Sequence, residues 1–284
     1  MPELPEVETV VRGLRQTVVG ETIERVHLNN APPSTIVISD SFKTGGFARA
    51  LEGRKILDVT RRGKNILIGL SGDITLWGHL KMTGHFFYRD KSLPIDKHDL
   101  VIFDFRSGSK SKDSLNLRFN DYRRFGRLRL YPNDELWEQS GLKSLGPEPL
   151  TLSADGFIAL CAGKSRMIKP ALLDQTFIAG LGNIYADETL YLSRLHPKRL
   201  ISSVSNRKLV ELHGHIRNIL KFAIRNMGTS VDSFSSVNGQ AGQFQKYLKA
   251  YGNEGEPCER CHAKIIREKI GSRSAHFCPR CQRV

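Results

Sequence analysis

Apolar residues near the start of the chain recur with a helical period: Val7, Val10, Val11, Leu14 and Val18 fall on one face, which predicts an opening amphipathic helix. Pro5 suits its first turn, and Glu6 and Glu8 complement the positive end of its dipole. The period then shortens. Val101-Ile102-Phe103-Asp104-Phe105, Leu115-Asn116-Leu117-Arg118-Phe119 and Leu128-Arg129-Leu130 read as short alternating strands between glycine-rich or polar breaks, the pattern of a sandwich or barrel. From Tyr131 to Leu152 the pattern stops at Pro132, Pro147 and Pro149, a candidate interdomain linker. Helical spacing returns over Ile184 to Ser193 and over Ser205 to Met227, where Leu209, Leu212, Ile216, Leu220 and Ala223 share a face.

A length of 284 residues accommodates two domains with real cores. The balance of 43 Lys and Arg against 29 Asp and Glu leaves a net charge of +14, which points to a polyanionic partner such as nucleic acid. No apolar run approaches the roughly 20 residues of a membrane span. The acidic, helical start lacks the basic and then apolar plan of a secretory signal, so the expected location is cytoplasmic and nucleoid-associated, with no membrane.

Four of the five cysteines, Cys258, Cys261, Cys278 and Cys281, form the pattern C-x2-C-x16-C-x2-C. Two tight knuckles at that spacing present four thiolates to one tetrahedral zinc ion. Two disulfides are the alternative, but a chain without an export signal is expected in a reducing compartment, which favours zinc. No open coordination position is implied, so the metal is structural, and the segment is expected to close the chain as a two-stranded ribbon. Cys161, in the apolar stretch after Phe157, reads as a small buried hydrophobe.

The candidate chemistry opens the chain. Once Met1 is removed, Pro2 offers a secondary amine that condenses with an aldehyde-like sugar carbon to an iminium, and Glu3 beside it is placed to pass protons. A plain helix start is the other reading, and the two are compatible, since the helix accounts for Pro5 onward and leaves Pro2 and Glu3 unexplained. Gly180-Leu181-Gly182-Asn183 precedes a helix, with Asn183 as its expected N-cap and glycines that admit a phosphate, or simply as a cap. Asp121-Tyr122-Arg123-Arg124-Phe125-Gly126-Arg127 is a turn between two strands, either an element that enters a duplex or a basic surface hairpin.

Together these segments resemble one family. Pro2-Glu3-Leu4-Pro5-Glu6-Val7-Glu8, Arg62-Gly63-Lys64, His79-Leu80-Lys81-Met82-Thr83-Gly84, Lys97-His98-Asp99, Arg123-Arg124-Phe125-Gly126, Leu145-Gly146-Pro147-Glu148-Pro149, Ile168-Lys169-Pro170, Gly180-Leu181-Gly182-Asn183-Ile184-Tyr185 and the four-cysteine finger occur in the order seen in bacterial formamidopyrimidine-DNA glycosylases. The resemblance covers the whole chain. It implies an α+β fold: an N-terminal β-sandwich with an opening helix (1–131), a linker (132–152), a helix-two-turn-helix domain (153–250) and a zinc-finger ribbon (251–284), with DNA between the domains. It also implies a monomer that acts on damaged double-stranded DNA in base excision repair, as glycosylase and abasic-site lyase.

Residue by residue, the resemblance makes Pro2 the nucleophile at C1′ and Glu3 the proton donor, and it counts Lys64 and Arg273 with them as catalytic. Lys64, Asn183 and Arg273 would hold the phosphates beside the lesion, while His98 and Lys164 would touch the DNA. Met82, Arg123 and Phe125 resemble the wedge that fills the gap left by a flipped nucleotide; Met is an adaptable plug, Phe unstacks a step and Arg can bond the orphaned base. From Cys258 to Val284 seven Lys and Arg face two Glu, which suits a DNA-facing finger.

Glu6 and Asp232 are the candidates for lesion recognition. In Gly228-Thr229-Ser230-Val231-Asp232-Ser233-Phe234 the family pattern leads us to expect Lys or Arg where Asp232 stands. Asp232 either accepts a proton from N7 or from an exposed formamide, or simply points to solvent, and on the first reading ring-opened formamidopyrimidines are expected to be better substrates than 8-oxoguanine. The alternatives are an enzyme for oxidised pyrimidines and a non-catalytic zinc-containing DNA-binding module. Pro2-Glu3 argues against the module, and Leu4-Pro5-Glu6-Val7-Glu8 with Arg123-Arg124-Phe125-Gly126 argues against the pyrimidine specificity.

Overall fold

The computed structural model describes residues 1–32, 34–38, 46–106, 114–230, 234 and 236–283. The chain forms two compact units, Met1–Lys143 with Met227–Gln243 and Ser144–Asn226 with Phe244–Val284.

The first unit opens with α1 (Leu4–Val18), which buries the whole predicted stripe of Val7, Val10, Val11, Leu14 and Val18. The remaining elements, in chain order, are β1 (Ile23–Leu28), β2 (Ile36–Ile38), α2 (Gly46–Leu51), β3 (Ile56–Arg62), β4 (Asn65–Leu70), β5 (Ile74–His79), β6 (His85–Asp90), β7 (Asp99–Phe105), β8 (Leu115–Asn120), β9 (Arg127–Pro132) and α3 (Asn133–Gln139). One sheet runs β1-β7-β8-β6 and the other β2-β9-β5-β4-β3, antiparallel except for the β2–β9 pair. Apolar residues from both sheets, including Val101, Phe103 and Phe119 of one and Ile66, Leu76 and Leu128 of the other, meet α1 in one core, which gives the expected sandwich.

Two features of this unit were not expected. The segment 121–126 joins strands of different sheets, so it is a crossover and not the hairpin considered from sequence. The second is the return of Met227–Gln243, which lies in sequence among the helices. Val237, fully buried, and Phe234 enter the sandwich core, and the Tyr88 N–H donates to the Val237 carbonyl at 3.0 Å.

The second unit contains α4 (Ala154–Cys161), α5 (Ile168–Leu173), α6 (Asn183–Leu192) and α7 (Asn206–Arg225), followed by β10 (Ile266–Ile270) and β11 (Arg273–Phe277). Ser205 caps α7 through its side chain, and Leu209, Leu212, Ile216, Leu220 and Ala223 are buried on one face as predicted. The last two strands pair antiparallel from Ile266 opposite Phe277 to Ile270 opposite Arg273, forming the expected ribbon. Cys161 ends α4 with its side chain buried, and that burial pushes its thiol up to about 11. Among the described residues no helix is long and apolar enough to cross a membrane.

Candidate active site and nucleic-acid interface

The first unit carries Pro2, Glu3, Glu6, Lys64, Met82, His98, Arg123 and Phe125; the second carries Lys164, Asn183, Arg273 and the four clustered cysteines. Pro2 and Glu3 are both buried at the entrance to α1. Glu3 is the N-cap of the helix and forms a capping box with Glu6, whose Oε2 accepts the Glu3 N–H at 2.8 Å. The helix start therefore does account for Glu3, contrary to the sequence reading, whereas Pro2 lies ahead of the cap and takes no part in the capping box. Glu6 is spoken for as well: its Oε1 accepts the Thr229 N–H at 2.7 Å. Gly228 makes that approach possible, because at its φ of +75° a side chain would be strained and would come within 2.6 Å of Glu6 Oε1. Asp232 lies outside the described residues.

Lys64 occupies the turn between β3 and β4 and is 7% exposed. It is one of several cations around His79. Burial, then the charges of Lys81, Lys64 and Arg127, push the His79 imidazole down to about 3, so the ring is neutral and its Nδ1 accepts the Lys81 N–H at 2.9 Å. Lys81 is itself pulled down by burial and by Arg127 and Arg129. Like charges gathered in this way destabilise the free protein, and an oligoanion offsets the repulsion.

The crossover 121–126 shows how a basic loop is held in shape. Asp121 is fully buried. Its Oδ1 accepts from the Thr83 hydroxyl and from the Arg123 N–H at 3.1 Å, and its Oδ2 accepts the Gly126 N–H at 2.6 Å. Its own N–H donates to the His98 carbonyl at 2.9 Å. The Asp121 carboxylate thus joins the turn of Met82 to the crossover of Arg123 and Phe125, while its backbone N–H ties in the loop of His98. Gly126 is required beside it, since a Cβ there would stand 2.7 Å from the Phe119 ring. Met82 and Phe125 are left exposed at 37% and 52%, and the Arg123 guanidinium lies over the Phe125 ring at 4.9 Å. Exposed apolar side chains on a rigid basic loop are unfavourable in water alone and suit an element that enters a base stack.

Sequence reasoning missed the supports of this site. Arg118, fully buried, bonds Asn116, the carbonyls of Asp90, Leu93 and Pro94, and Asp99 at 3.1 Å. Its five bonds fix the loop on which His98 sits. A charge in an alternating strand reads as an outward residue; only its position among Leu117 and Phe119 hinted otherwise.

In the second unit one expectation is corrected. Asn183 is the first residue of α6 and not its cap, which is Gly182 in extended backbone. Shifted by one position, the Asn183 side chain cannot reach back to the helix amides, and its buried oxygen accepts no hydrogen bond. Gln175 shapes the loop before it, accepting the Gly180 N–H at 2.9 Å and donating to the Leu173 and Leu181 carbonyls at 3.0 and 2.8 Å. Lys164 is exposed after α4, and Arg273 is exposed at the start of β11. Lys169, in the apolar segment of α5, is fully buried; its Nζ lies 2.5 Å from both Asp187 Oδ1 and the Ser274 carbonyl. Asp187 Oδ2 accepts the His276 N–H at 2.9 Å, so α5, α6 and the strand that bears Arg273 are fastened together.

The Sγ atoms of Cys258, Cys261, Cys278 and Cys281 lie within 4.8 Å of one another. Cys261 and Cys278 are 3.4 Å apart and Cys258 and Cys281 4.0 Å, close to the ~3.8 Å between sulfurs of a regular tetrahedral zinc–thiolate site. Burial opposes ionisation of Cys258, but hydrogen bonds from Tyr191 and from the Arg260 and Cys261 backbone bring it down to about 6, while burial pushes Cys278 up to about 12. A divalent cation supplies the charge that lets all four ionise together. The donor set fits one zinc ion.

Three family profiles match the chain in succession: formamidopyrimidine-DNA glycosylase N-terminal domain over residues 1–128, formamidopyrimidine-DNA glycosylase H2TH domain over 145–235, and zinc finger found in FPG and IleRS over 255–284. A formamidopyrimidine-DNA glycosylase of Pediococcus pentosaceus is 44% identical over 284 residues, 99% of each chain. Two Lactococcus lactis Fpg crystal structures are 34% identical. A mutant bound to Fapy-dG-containing DNA has a TM-score of 0.88 with both chains fully covered. A complex with DNA containing an abasic site has a TM-score of 0.86, covering 99% of this chain and 100% of that one.

Proposed function

The chain belongs to the formamidopyrimidine-DNA glycosylase family and is a DNA glycosylase of base excision repair, and we propose that Pro2 is its nucleophile and Glu3 its proton donor. The observation that carries this assignment is the start of α1, where Pro2 is buried just ahead of the helix and the adjacent carboxylate is fixed by a capping box. An α-amine titrates at roughly 7.7 to 8.0, so at neutral pH it retains a neutral fraction that a lysine lacks. Removal of Met1 is required.

The Pro2 nitrogen adds to C1′ as the glycosidic C–N bond breaks, and the base leaves with a proton supplied through Glu3. Opening of the sugar ring gives an iminium, which acidifies C2′. Loss of that proton expels the 3′ phosphate, and a second elimination expels the 5′ phosphate; this is the abasic-site lyase activity typical of the family. No step requires a metal, and zinc supplies only folding energy to the ribbon that carries Arg273.

Lys64, Asn183 and Arg273 hold the phosphates beside the lesion, with His98 and Lys164 on the flanking backbone. The exposed Met82, Arg123 and Phe125 enter the duplex when the damaged nucleotide leaves it. Glu6 acts on lesion choice indirectly, by anchoring the segment that begins at Thr229. The substrates proposed are oxidised purines, formamidopyrimidines first. Borohydride trapping on an oligonucleotide with one lesion tests the central assignment: mass spectrometry should place the cross-link on residue 2, and a cross-link on Lys64 would overturn it.

A further inference from the structure

The helix α6 does more than present Asn183. Near the other end of α6, the Tyr191 hydroxyl lies 3.3 Å from Cys258 Sγ, with the side chain only 2% exposed. Arg260, inside the same cysteine knuckle, lies over the Tyr191 ring with its guanidinium 4.0 Å from the centroid and donates to the Tyr191 carbonyl at 2.8 Å. The ring is therefore clamped by the knuckle whose first sulfur its hydroxyl meets. A zinc-bound thiolate has no proton to give, so in the loaded ribbon the phenol is the donor and Cys258 the acceptor.

We propose that Tyr191 is the outer-sphere hydrogen-bond donor to the Cys258 thiolate, and that it governs how tightly the finger retains zinc and how slowly that thiolate reacts with electrophiles. The inference rests on the zinc reading of the four cysteines. Partners of this kind fix a ligand's orientation, and their loss weakens metal affinity by about 10- to 100-fold. A donor also draws electron density from sulfur and makes it a poorer nucleophile. Simple packing is the competing account, because Tyr191 also lies in the small apolar cluster of Ala250, Cys258, Ile265 and Cys278.

Tyr191→Phe separates the two, since it keeps the ring and removes one hydroxyl. Tyr247→Phe, which removes a hydroxyl from a residue whose ring packs at a tilt against Phe222 and Phe244, is the control. Zinc content of the wild type is measured first; a protein without one zinc per chain would refute the zinc reading itself. Competition against a chromogenic chelator should then show affinity about 10- to 100-fold weaker for Tyr191→Phe alone. Iodoacetamide should alkylate Cys258 faster in that variant. In the Co²⁺-substituted protein the sulfur-to-metal charge-transfer band should move to longer wavelength, a change that packing alone does not produce. Equal affinity, alkylation rate and band position in Tyr191→Phe and wild type would overturn the proposal while leaving the zinc site intact.

Discussion

Lys169 Nζ and Asp187 Oδ1 stand 2.5 Å apart with side-chain exposures of 0% and 1%. Replacing Lys169 by Met leaves the carboxylate buried without its counter-charge, which should cost about 3 to 5 kcal/mol in urea unfolding. The Ser274 carbonyl loses its donor at the same time, so binding to an abasic-site duplex should weaken even at temperatures where the variant is folded. A stability change under about 1 kcal/mol would show that the pair is dispensable.

Glu3→Gln separates chemistry from architecture. Glutamine retains an oxygen that can cap α1, so the melting curve should change by no more than about 0.5 kcal/mol. Base excision should be lost while duplex binding persists. Excision at the wild-type rate would remove Glu3 from the mechanism.

Asp121→Ala strands the Gly126 and Arg123 amides and frees the Thr83 hydroxyl. Unsatisfied buried donors should lower stability by about 3 kcal/mol. Because the loops of Met82 and Phe125 lose their common anchor, while the backbone bond to His98 is kept, excision from duplex should slow more than binding weakens. Stopped-flow fluorescence of a base analogue beside the lesion reads the insertion step directly.

His79 makes stability depend on pH. Its folded-state value, about 3, lies below the ordinary 6.5, so the unfolded chain binds the proton first as pH falls. Its contribution is complete above pH 6.5 and is lost as pH falls toward 3, by as much as about 1.4 kcal/mol per pH unit. In His79→Asn, where the amide oxygen can still accept the Lys81 N–H, this part of the slope should vanish. Urea unfolding at pH 7 and pH 5 compares the two proteins, and equal slopes would contradict the assignment.

Lesion preference is tested by kcat/KM on formamidopyrimidine and 8-oxoguanine duplexes opposite cytosine, for wild type and Asp232→Arg. The wild type should favour the ring-opened lesion, and the substitution should shift the ratio toward 8-oxoguanine. A wild type that prefers 8-oxoguanine, with a ratio unmoved by the substitution, would leave Asp232 without a part in recognition.

Elements with one buried face were legible in the sequence. The stripes of α1 and α7 occur where they were expected, because burial on one side imposes a period, and β9 keeps a partial alternation. The strands β7 and β8 are buried over most of their length and were located because Asp104, Asn116 and Arg118 interrupt their apolar runs. The strands β4 and β5 are covered for most of their length, and a continuous apolar run carries no period to read. Buried charge escaped notice for a related reason. Arg118 and Lys169 look like surface residues until their partners, Asp99 and Asp187, come from elsewhere in the chain. The motifs located the site's chemistry, but its scaffold depends on pairings between distant segments, such as Glu6 with Thr229.

The return of Met227–Gln243 to the first unit has a consequence for descent. With Phe234 and Val237 completing the sandwich core, no single break in the gene delivers an intact catalytic half. A sandwich copied without that later stretch would lack both Phe234 and Val237 in its core and the segment moored to Glu6. Recombination that swaps one unit for a foreign counterpart must therefore carry three junctions.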